Sequence, residues 1–233
     1  MNFQNKQTVI QFPYNIGNIA VKNVSSLKDL GVVIDTKLNF KEHIDYISAK
    51  AVRVIGFIRK FTFNFKNCSV ILYLYKTLAL PILMYASPIW SPYLSCDQYR
   101  LETVQHKFLR YLSQKNGQFM DPLSHDYTDI MTSFKVPTLK SLREMRDIMF
   151  AYKLINDKID CEYLCNIFKP RRLSHNLRNP RTFEEVTYSS NYTLYSTMPR
   201  LLRAWHELPR SITSLTKMHD FKMHVMLKTI KYT

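Results

Sequence analysis

The longest apolar segment of the chain is VILYLYKTLALPILMYA, which covers residues 70–86. A helix needs about 20 uninterrupted apolar residues to cross a bilayer, whereas this segment has 17 residues, with Lys76 inside it and Pro81 near its end. It is apolar on every side, which is typical of a helix inside a bundle. Because proline lacks a backbone N–H group, we predict that the helix kinks or ends at Pro81. The segment therefore predicts a buried core helix, and we expect no membrane partner.

Three further segments repeat apolar residues at steps of three and four, which is the spacing of one helix face. They begin near Asn39, Ser95 and Thr138. Asn39 with Glu42, and Ser95 with Gln98, have the spacing of a capping box at a helix start. With only four glycines in 233 residues, the chain favours helices over a β fold with many turns. The side chains that we predict to face inward are Ile44, Ile47, Ala51, Val54, Ile58 and Phe61, then Leu101, Val104, Phe108 and Leu112, and finally Leu142, Met145, Met149, Tyr152 and Ile155.

Strand signals occur only near the amino terminus. TVIQFPY and IAVKNV flank NIGN, which predicts a hairpin turn, and LGVVID is a third predicted strand. Three such strands rarely fold alone, so we interpret them as the rim of a larger sheet. Asp29 and Asp35 flank the third strand, and we interpret them as turn residues rather than as a metal pair.

The predicted fold is therefore mainly α, a helical bundle with a short amino-terminal β-hairpin or sheet remnant. Residues 1–38 form the β remnant and residues 39–160 the helical domain. Residues 161–199 are predicted as a basic loop or linker, and residues 200–233 as a carboxy-terminal helical segment.

The charge of the chain is strongly unbalanced, with 33 Lys and Arg against 18 Asp and Glu and a net charge of +15. This excess favours a polyanionic partner, and the helical faces favour nucleic acid over an anionic membrane surface. On the helices, the basic residues beside the apolar faces either form an ordinary solvated surface or bind phosphates. They are Lys50, Arg53, Arg59 and Lys60 on the first helix, and Arg100, Lys107 and Arg110 on the one that begins near Ser95. On the helix that begins near Thr138, Arg143, Arg146 and Lys153 are predicted to lie off the inward face.

The segment FKPRRLSHNLRNPR, residues 168–181, has five basic residues and no acidic one. It is predicted to be a surface loop able to contact phosphates without reading sequence. Its basic residues are Lys169, Arg171, Arg172, Arg178 and Arg181. The tyrosines nearby have two open interpretations, stacking on single-stranded bases or packing inside the fold. They are Tyr188, Tyr192 and Tyr195.

The four cysteines are too sparse for a disulfide framework in a chain of this length. The first residues lack the apolar core of a secretory signal. We therefore expect an intracellular protein, nuclear or cytoplasmic. Cys161, Cys165 and His175 resemble part of a zinc knuckle, but the fourth ligand would fall at Pro180. Since structural zinc needs four ligands, we predict no metal here.

Five segments follow one another along the chain: LKDLGVVIDTKLNFKEHIDYISAKA, TLALPILMYASPIWSPY, RLETVQHKFLRYL, VPTLKSLREMRDIMFAYKLINDKID, and RAWHELPRSI with FKMHV. Together they resemble the carboxy-terminal region of the reverse transcriptase of jockey-like non-LTR retrotransposons. The resemblance extends over nearly the whole chain and keeps the order of the family's segments, although no single segment is decisive.

The resemblance implies that the strand with DLGV is similar to the hairpin that holds the primer end, and that the following helices are similar to the thumb. RNA and DNA, as a template–primer bound mostly through phosphates, are then the expected partners. Lys28 beside the primer-grip-like strand joins the basic residues named above as a nucleic-acid contact.

Catalysis is not expected from this chain alone. The sequence has no two adjacent aspartates, and the family's aspartate pair, which holds two magnesium ions, is expected to precede Met1. We therefore expect an inactive fragment of an RNA-directed DNA polymerase with no cofactor of its own, magnesium being bound only with the palm. Two alternatives stay open: a helical interaction protein without a nucleic-acid role, and an accessory subunit that pairs with a separate palm. The oligomeric state is also open.

Overall fold

The computed structural model describes residues 14–118, 126–165, 168, 183 and 190–230. It is mainly helical and has two short antiparallel hairpins at its amino-terminal end, which confirms the predicted fold class. The strands are β1 (Asn15–Ile16), β2 (Ile19–Ala20), β3 (Ser26–Asp29) and β4 (Val32–Asp35). The helices are α1 (Lys41–Phe61), α2 (Cys68–Leu74), α3 (Leu80–Met84), α4 (Ser87–Trp90), α5 (Ser95–Lys115), α6 (Thr128–Ser133), α7 (Leu139–Ile155), α8 (Glu162–Cys165), α9 (Asn191–Leu194), α10 (Thr197–His206), α11 (Arg210–Thr213) and α12 (Met218–Thr229).

Each of the two hairpins has a glycine in its turn, and only the first of these turns was predicted. Gly17, with φ of 60°, lies between β1 and β2, as the NIGN pattern predicts. Most of the predicted strand TVIQFPY lies outside the described residues. β3 and β4 are joined by Leu30 and Gly31, which both have positive φ, at 43° and 88°, as a type I′ turn requires. The third strand therefore begins two residues later than predicted. Asp29 and Asp35 lie at opposite ends of this hairpin, so they do not form a metal pair.

Asp35 fixes the entry into α1. Its carboxylate accepts hydrogen bonds from the backbone N–H groups of Asn39 at 3.3 Å and Phe40 at 2.8 Å. The helix begins at Lys41, and Phe40 before it has a left-handed φ of 56° and no side-chain cap. The predicted capping box of Asn39 with Glu42 is therefore wrong. Asn39 lies one residue too early, and its Oδ1 accepts a hydrogen bond from the Lys41 N–H group at 2.9 Å.

The helix that contains most of the apolar segment runs from residue 68 to residue 84, and α2 leads into α3 through a π-helical turn, Tyr75–Ala79. The π turn directly precedes Pro81, which lies in the first turn of α3. The helix does not end at Pro81 but continues to Met84, and the change of helix type occurs just before the proline. The prediction that this helix is buried on every side is wrong, because Tyr73 and Leu78 are exposed. None of the helices in the described part of the chain is long and apolar enough to span a bilayer.

α1 and α5 pack side by side and run parallel. Asp45 near the start of α1 pairs with Arg100 near the start of α5. Thr62, just after α1, shares a 2.8 Å hydrogen bond with the hydroxyl of Tyr111 late in α5. Between these helices and the apolar segment lies a first core cluster, whose largest members include Ile44, Ile58, Ile71, Tyr75, Leu101, Phe108 and Leu109.

Two predictions on these helices are corrected by the packing. On α1, Ile55 is buried, whereas Val54 is half-buried and Phe61 is exposed. The apolar face therefore ends one turn earlier than predicted. On α5 the residue before the helix is Leu94, which makes no side-chain cap. Gln98 donates to the backbone oxygen of Pro92 at 3.0 Å instead, so the predicted capping box of Ser95 with Gln98 is wrong.

α7 connects the first core cluster to a second one. Leu139 at its start belongs to the first cluster, while Ile148, Ala151 and Tyr152 pack in the second against α10 and α12. The hydroxyl of Thr138 accepts a hydrogen bond from the Ser141 N–H group at 3.1 Å and caps this helix. The second cluster also contains Leu201, Leu202, Trp205, Phe221 and Val225.

Candidate nucleic-acid interface

Two adjoining grooves are lined by residues of α1 and α5 and of the turn after α1. One has a volume of about 360 Å³ and the other about 470 Å³, and they share the lining residues Arg59, Tyr111 and Gln114. We call them together the α1–α5 groove. The lining contains five basic residues and no acidic residue. The basic residues are Arg59, Lys60, Lys107, Arg110 and Lys115, and the other members are Val52, Ile55, Gly56, Phe63, Tyr111 and Gln114.

Aromatic rings hold several of these cations in place. Tyr111 is buried, and its ring lies 5.4 Å from the guanidinium carbon of Arg59 and 5.8 Å from the Nζ of Lys115. Arg110 donates from Nη2 to the hydroxyl of Tyr127 at 2.7 Å. Cations over aromatic faces are favourably placed without losing their charge. The groove therefore presents positive charge on ordered side chains.

A second group of predicted residues surrounds Tyr46, which lies near the start of α1, whereas the groove lies along its second half. Lys28 on β3 donates from Nζ to the hydroxyl of Tyr46 at 3.0 Å and lies 4.6 Å from its ring centre. This hydrogen bond lowers the pKa of Tyr46, and the charges of Lys28, Lys50 and Arg53 lower it further. Lys50 and Arg53 follow Tyr46 by four and seven residues, so the three lie on one helix face.

The structure thus brings Arg59, Lys60, Lys107 and Arg110 together in the groove, and it places Lys28, Lys50 and Arg53 around Tyr46. Arg100 joins neither group, because its guanidinium pairs with Asp45. The remaining predicted site residues, Arg171 and Arg172, and the neighbouring Lys169, Arg178, Arg181 and Tyr188, lie outside the described residues, as does the side chain of Tyr192.

Tyr195 is described, and it is packed. Its ring stacks on Tyr93 with the ring centres 5.2 Å apart and the planes 4° from parallel. The guanidinium of Arg203 covers it at 4.8 Å. Tyr195 therefore has ring and cation neighbours within the fold while 37% of it stays exposed.

Lys115 and Tyr111 are groove residues that sequence reasoning missed. The signal was present in the spacing, because Lys107, Tyr111 and Lys115 follow one another at four-residue steps and therefore share a face of α5. Phe63 was missed for a different reason. It lies beyond the end of α1, where helical periodicity gives no orientation.

A cleft of about 530 Å³ beside α7 and α10 contains charges of both signs. Arg200 donates from Nε to Asp147 at 2.6 Å and from Nη2 to the backbone oxygen of Pro88 at 2.6 Å. Arg143 is only 2% exposed, so its predicted place on the solvated side of the helix is wrong. Burial lowers the pKa of Arg143 and raises that of Asp147. This cluster joins the two cores rather than offering free positive charge.

Glu102 on α5 completes this cluster and fixes the start of α7. Its carboxylate accepts hydrogen bonds from the backbone N–H groups of Leu139 at 3.1 Å and Lys140 at 2.8 Å. Burial raises the pKa of Glu102, while these two hydrogen bonds and the charge of Arg143 lower it in part. A carboxylate at a helix start also interacts favourably with the helix dipole.

One of the two cysteines that resemble part of a zinc knuckle, Cys165, contacts the backbone of the fold. Cys165 lies with its Sγ 3.8 Å from the backbone oxygen of Leu154 and 3.9 Å from that of Ile159. His175 lies outside the described residues. Within the part of the chain that the structure describes, no three His, Cys, Asp or Glu residues form a group that could hold a metal ion.

Comparisons with known proteins add one relative. An uncharacterized protein of Caenorhabditis elegans is 23% identical over 132 residues, which is 57% of this chain and 64% of the relative. The chain therefore spans less than two thirds of the length of that protein. No protein-family model and no solved structure matches the chain.

Proposed function

We propose that the chain binds the backbone of nucleic acid through the α1–α5 groove, as the thumb-like part of a non-LTR retrotransposon reverse transcriptase. The observation that carries the proposal is the groove itself. It collects Arg59, Lys60, Lys107, Arg110 and Lys115, which come from two helices, without an acidic residue among its lining.

Uncompensated cations at this density favour a polyanion for a physical reason. Like charges held close together repel one another, and phosphates remove that repulsion while condensed counterions are released into solution. The group around Tyr46 is a second collection of cations, nearer the start of α1. Arginine and lysine contacts of this kind go to phosphates, so we expect little preference for sequence.

The family part of the proposal comes from the resemblance, which makes α1 and α5 thumb elements. The same resemblance makes the catalytic aspartates and their two magnesium ions part of a palm with adjacent aspartates, and this sequence has none. Within the proposal, the chain positions a template–primer and does not itself transfer nucleotides. Supplied with primed RNA, magnesium and dNTPs, the purified chain is expected to extend no primer.

A salt titration tests the groove. The affinity of the chain for a primed duplex is measured at several salt concentrations, and log affinity should fall with log salt with a slope of about −3 to −6. The triple variant Arg59→Gln, Lys60→Gln and Lys107→Gln should flatten the slope by about 2 to 3, since each lost phosphate contact removes about 0.9.

The matched control removes three exposed basic residues elsewhere, by Lys153→Gln, Lys217→Gln and Lys222→Gln. It lowers the net charge equally, and we expect its slope to stay within about 1 of the wild type. Equal flattening in both triple variants would assign binding to net charge and reject the groove. Circular dichroism checks that helicity is retained in each.

A second candidate is an accessory subunit that pairs with a separate palm, and the hairpins favour it. Ile16, Ile19 and Leu30 are each at least 75% exposed, which leaves apolar side chains uncovered beside one another along the chain. A helical interaction protein without a nucleic-acid role would show no salt-dependent binding in the titration. The accessory subunit and the thumb-like protein share the groove and differ only in where the palm resides.

A further inference from the structure

We propose that the exposed phenylalanines at the carboxy-terminal end of α1 bind single-stranded nucleic acid by stacking on its bases. The inference rests on the proposed function, because the groove beside these rings supplies cations for the phosphates of the same strand. Four phenylalanines occur within nine residues, and each is at least 45% exposed. They are Phe57, Phe61, Phe63 and Phe65, and we call them the phenylalanine cluster.

Isolated exposed apolar side chains are ordinary, but a contiguous group indicates a binding surface. The rings of Phe57 and Phe61 are themselves neighbours, with centres 4.2 Å apart. Phe63 lines the α1–α5 groove, where the Nζ of Lys115 lies 5.4 Å from its ring centre. The phenylalanine cluster therefore extends from the outer face of α1 to the edge of the groove.

The turn that carries the rings is held firmly. Thr62 is fully buried between Phe61 and Phe63, and its hydroxyl donates to the backbone oxygen of Ile58 at 2.7 Å. The same hydroxyl contacts the Tyr111 hydroxyl at 2.8 Å. Because the backbone is fixed here, it needs no further ordering when a ligand binds, and such preorganisation raises affinity.

The charge around the rings selects the kind of ligand. No Asp or Glu occurs between Asp45 and Asp97, whereas six Lys or Arg residues do. Rings interleaved with cations, without acids, are the combination with which proteins bind single strands, the rings stacking on bases and the cations neutralising phosphates. A duplex keeps its base faces covered within its own stack, so only a single strand offers them to the phenylalanine cluster. A protein partner would usually bring charges of both signs.

The test compares three probes with the full chain: a fluorescent oligo-dT single strand, the same backbone with abasic sites, and a blunt duplex of equal length. The variant Phe57→Leu with Phe61→Leu keeps apolar side chains but removes two neighbouring rings that do not line the groove. We expect it to weaken binding of oligo-dT by about tenfold or more, and to change binding of the duplex and of the abasic strand by less than about twofold.

The control variant, Tyr99→Leu with Tyr163→Leu, removes two exposed rings outside the phenylalanine cluster and should leave all three affinities unchanged. If the cluster variant binds oligo-dT as the wild type does while duplex binding persists, the inference fails and the proposed function stands. If no probe binds, both fail. Tighter binding of the wild type to phosphatidylserine vesicles than to oligo-dT would assign the rings to a membrane surface and also overturn the inference.

Discussion

Two arginine–aspartate pairs of this protein have the same chemistry and different surroundings. Arg200 and Asp147 join α10 to α7, with side chains that are 18% and 3% exposed. Arg100 and Asp45 join α5 to α1, with side chains that are 43% and 53% exposed. Water screens the second pair and solvates both partners if it separates. The first pair has little water to replace a lost partner, so its integrity matters far more to the fold.

The same contrast separates the two basic regions of the molecule. Beside α7, Arg143 and Arg200 share their surroundings with Glu102 and Asp147, and they bind together the two core clusters. In the α1–α5 groove the lining contains five cations and no carboxylate. A basic residue is therefore available to a phosphate only where no acidic side chain packs against it.

The largest expected effect is on the buried pair. Asp147→Ala should lower the free energy of unfolding by about 3–5 kcal/mol, because Arg200 then loses its carboxylate partner in a site with little access to water. The matched variant Asp45→Ala should cost about 0–1 kcal/mol. Urea unfolding of both variants measures the difference. Equal losses would show that the two pairs are not distinguished by burial.

The second prediction concerns the buried His43, which should make the free energy of unfolding fall at acid pH. Burial and the charge of Lys28 lower its pKa from 6.5 to about 4, and its Nδ1 accepts a hydrogen bond from the Val33 N–H group at 3.2 Å, which the protonated ring cannot do. Between these two pKa values the unfolded chain binds a proton that the folded protein does not. Stability contributed by neutral His43 is therefore complete above pH 6.5 and is lost as the pH falls towards 4.

The loss should reach about 3 kcal/mol, at about 1.4 kcal/mol for each pH unit between the two pKa values. His43→Gln should remove this slope from the unfolding free energy measured between pH 7 and 4. His219→Gln, which changes a histidine whose side chain is 85% exposed, should keep it. The raised carboxyl pKa values of Glu102 and Asp147 act in the opposite sense and are common to all three proteins. A slope that persists in His43→Gln would reject His43 as its source.

The smallest expected effect separates a helix cap that forms from one that does not. Thr138 accepts a hydrogen bond from the Ser141 N–H group, so Thr138→Ala should cost about 1 kcal/mol of unfolding free energy. Ser95 makes no side-chain cap on α5, so Ser95→Ala should change the free energy of unfolding by only about a few tenths of a kcal/mol. Thermal unfolding resolves the order of the two variants. A larger loss at Ser95 would contradict it.

The amino-acid sequence by itself determined the long helices and the first hairpin turn. The apolar steps of three and four residues placed α1, α5 and α7, and the turn at Gly17 followed from backbone chemistry alone. These signals are local, since a helix face or a turn is defined by residues fewer than about eight positions apart.

Only the tertiary structure decided which basic residues are free. Arg143 and Lys107 look alike beside their apolar faces, yet one is buried among acids and the other lines a groove without any. The acids concerned come from distant parts of the chain: Asp147 meets Arg200 across 53 positions, and Arg100 meets Asp45 across 55. Charge compensation depends on such contacts, and helical periodicity carries no information about them. The groove exists because two helices 33 residues apart in the chain, one ending at Phe61 and the other starting at Ser95, pack in parallel.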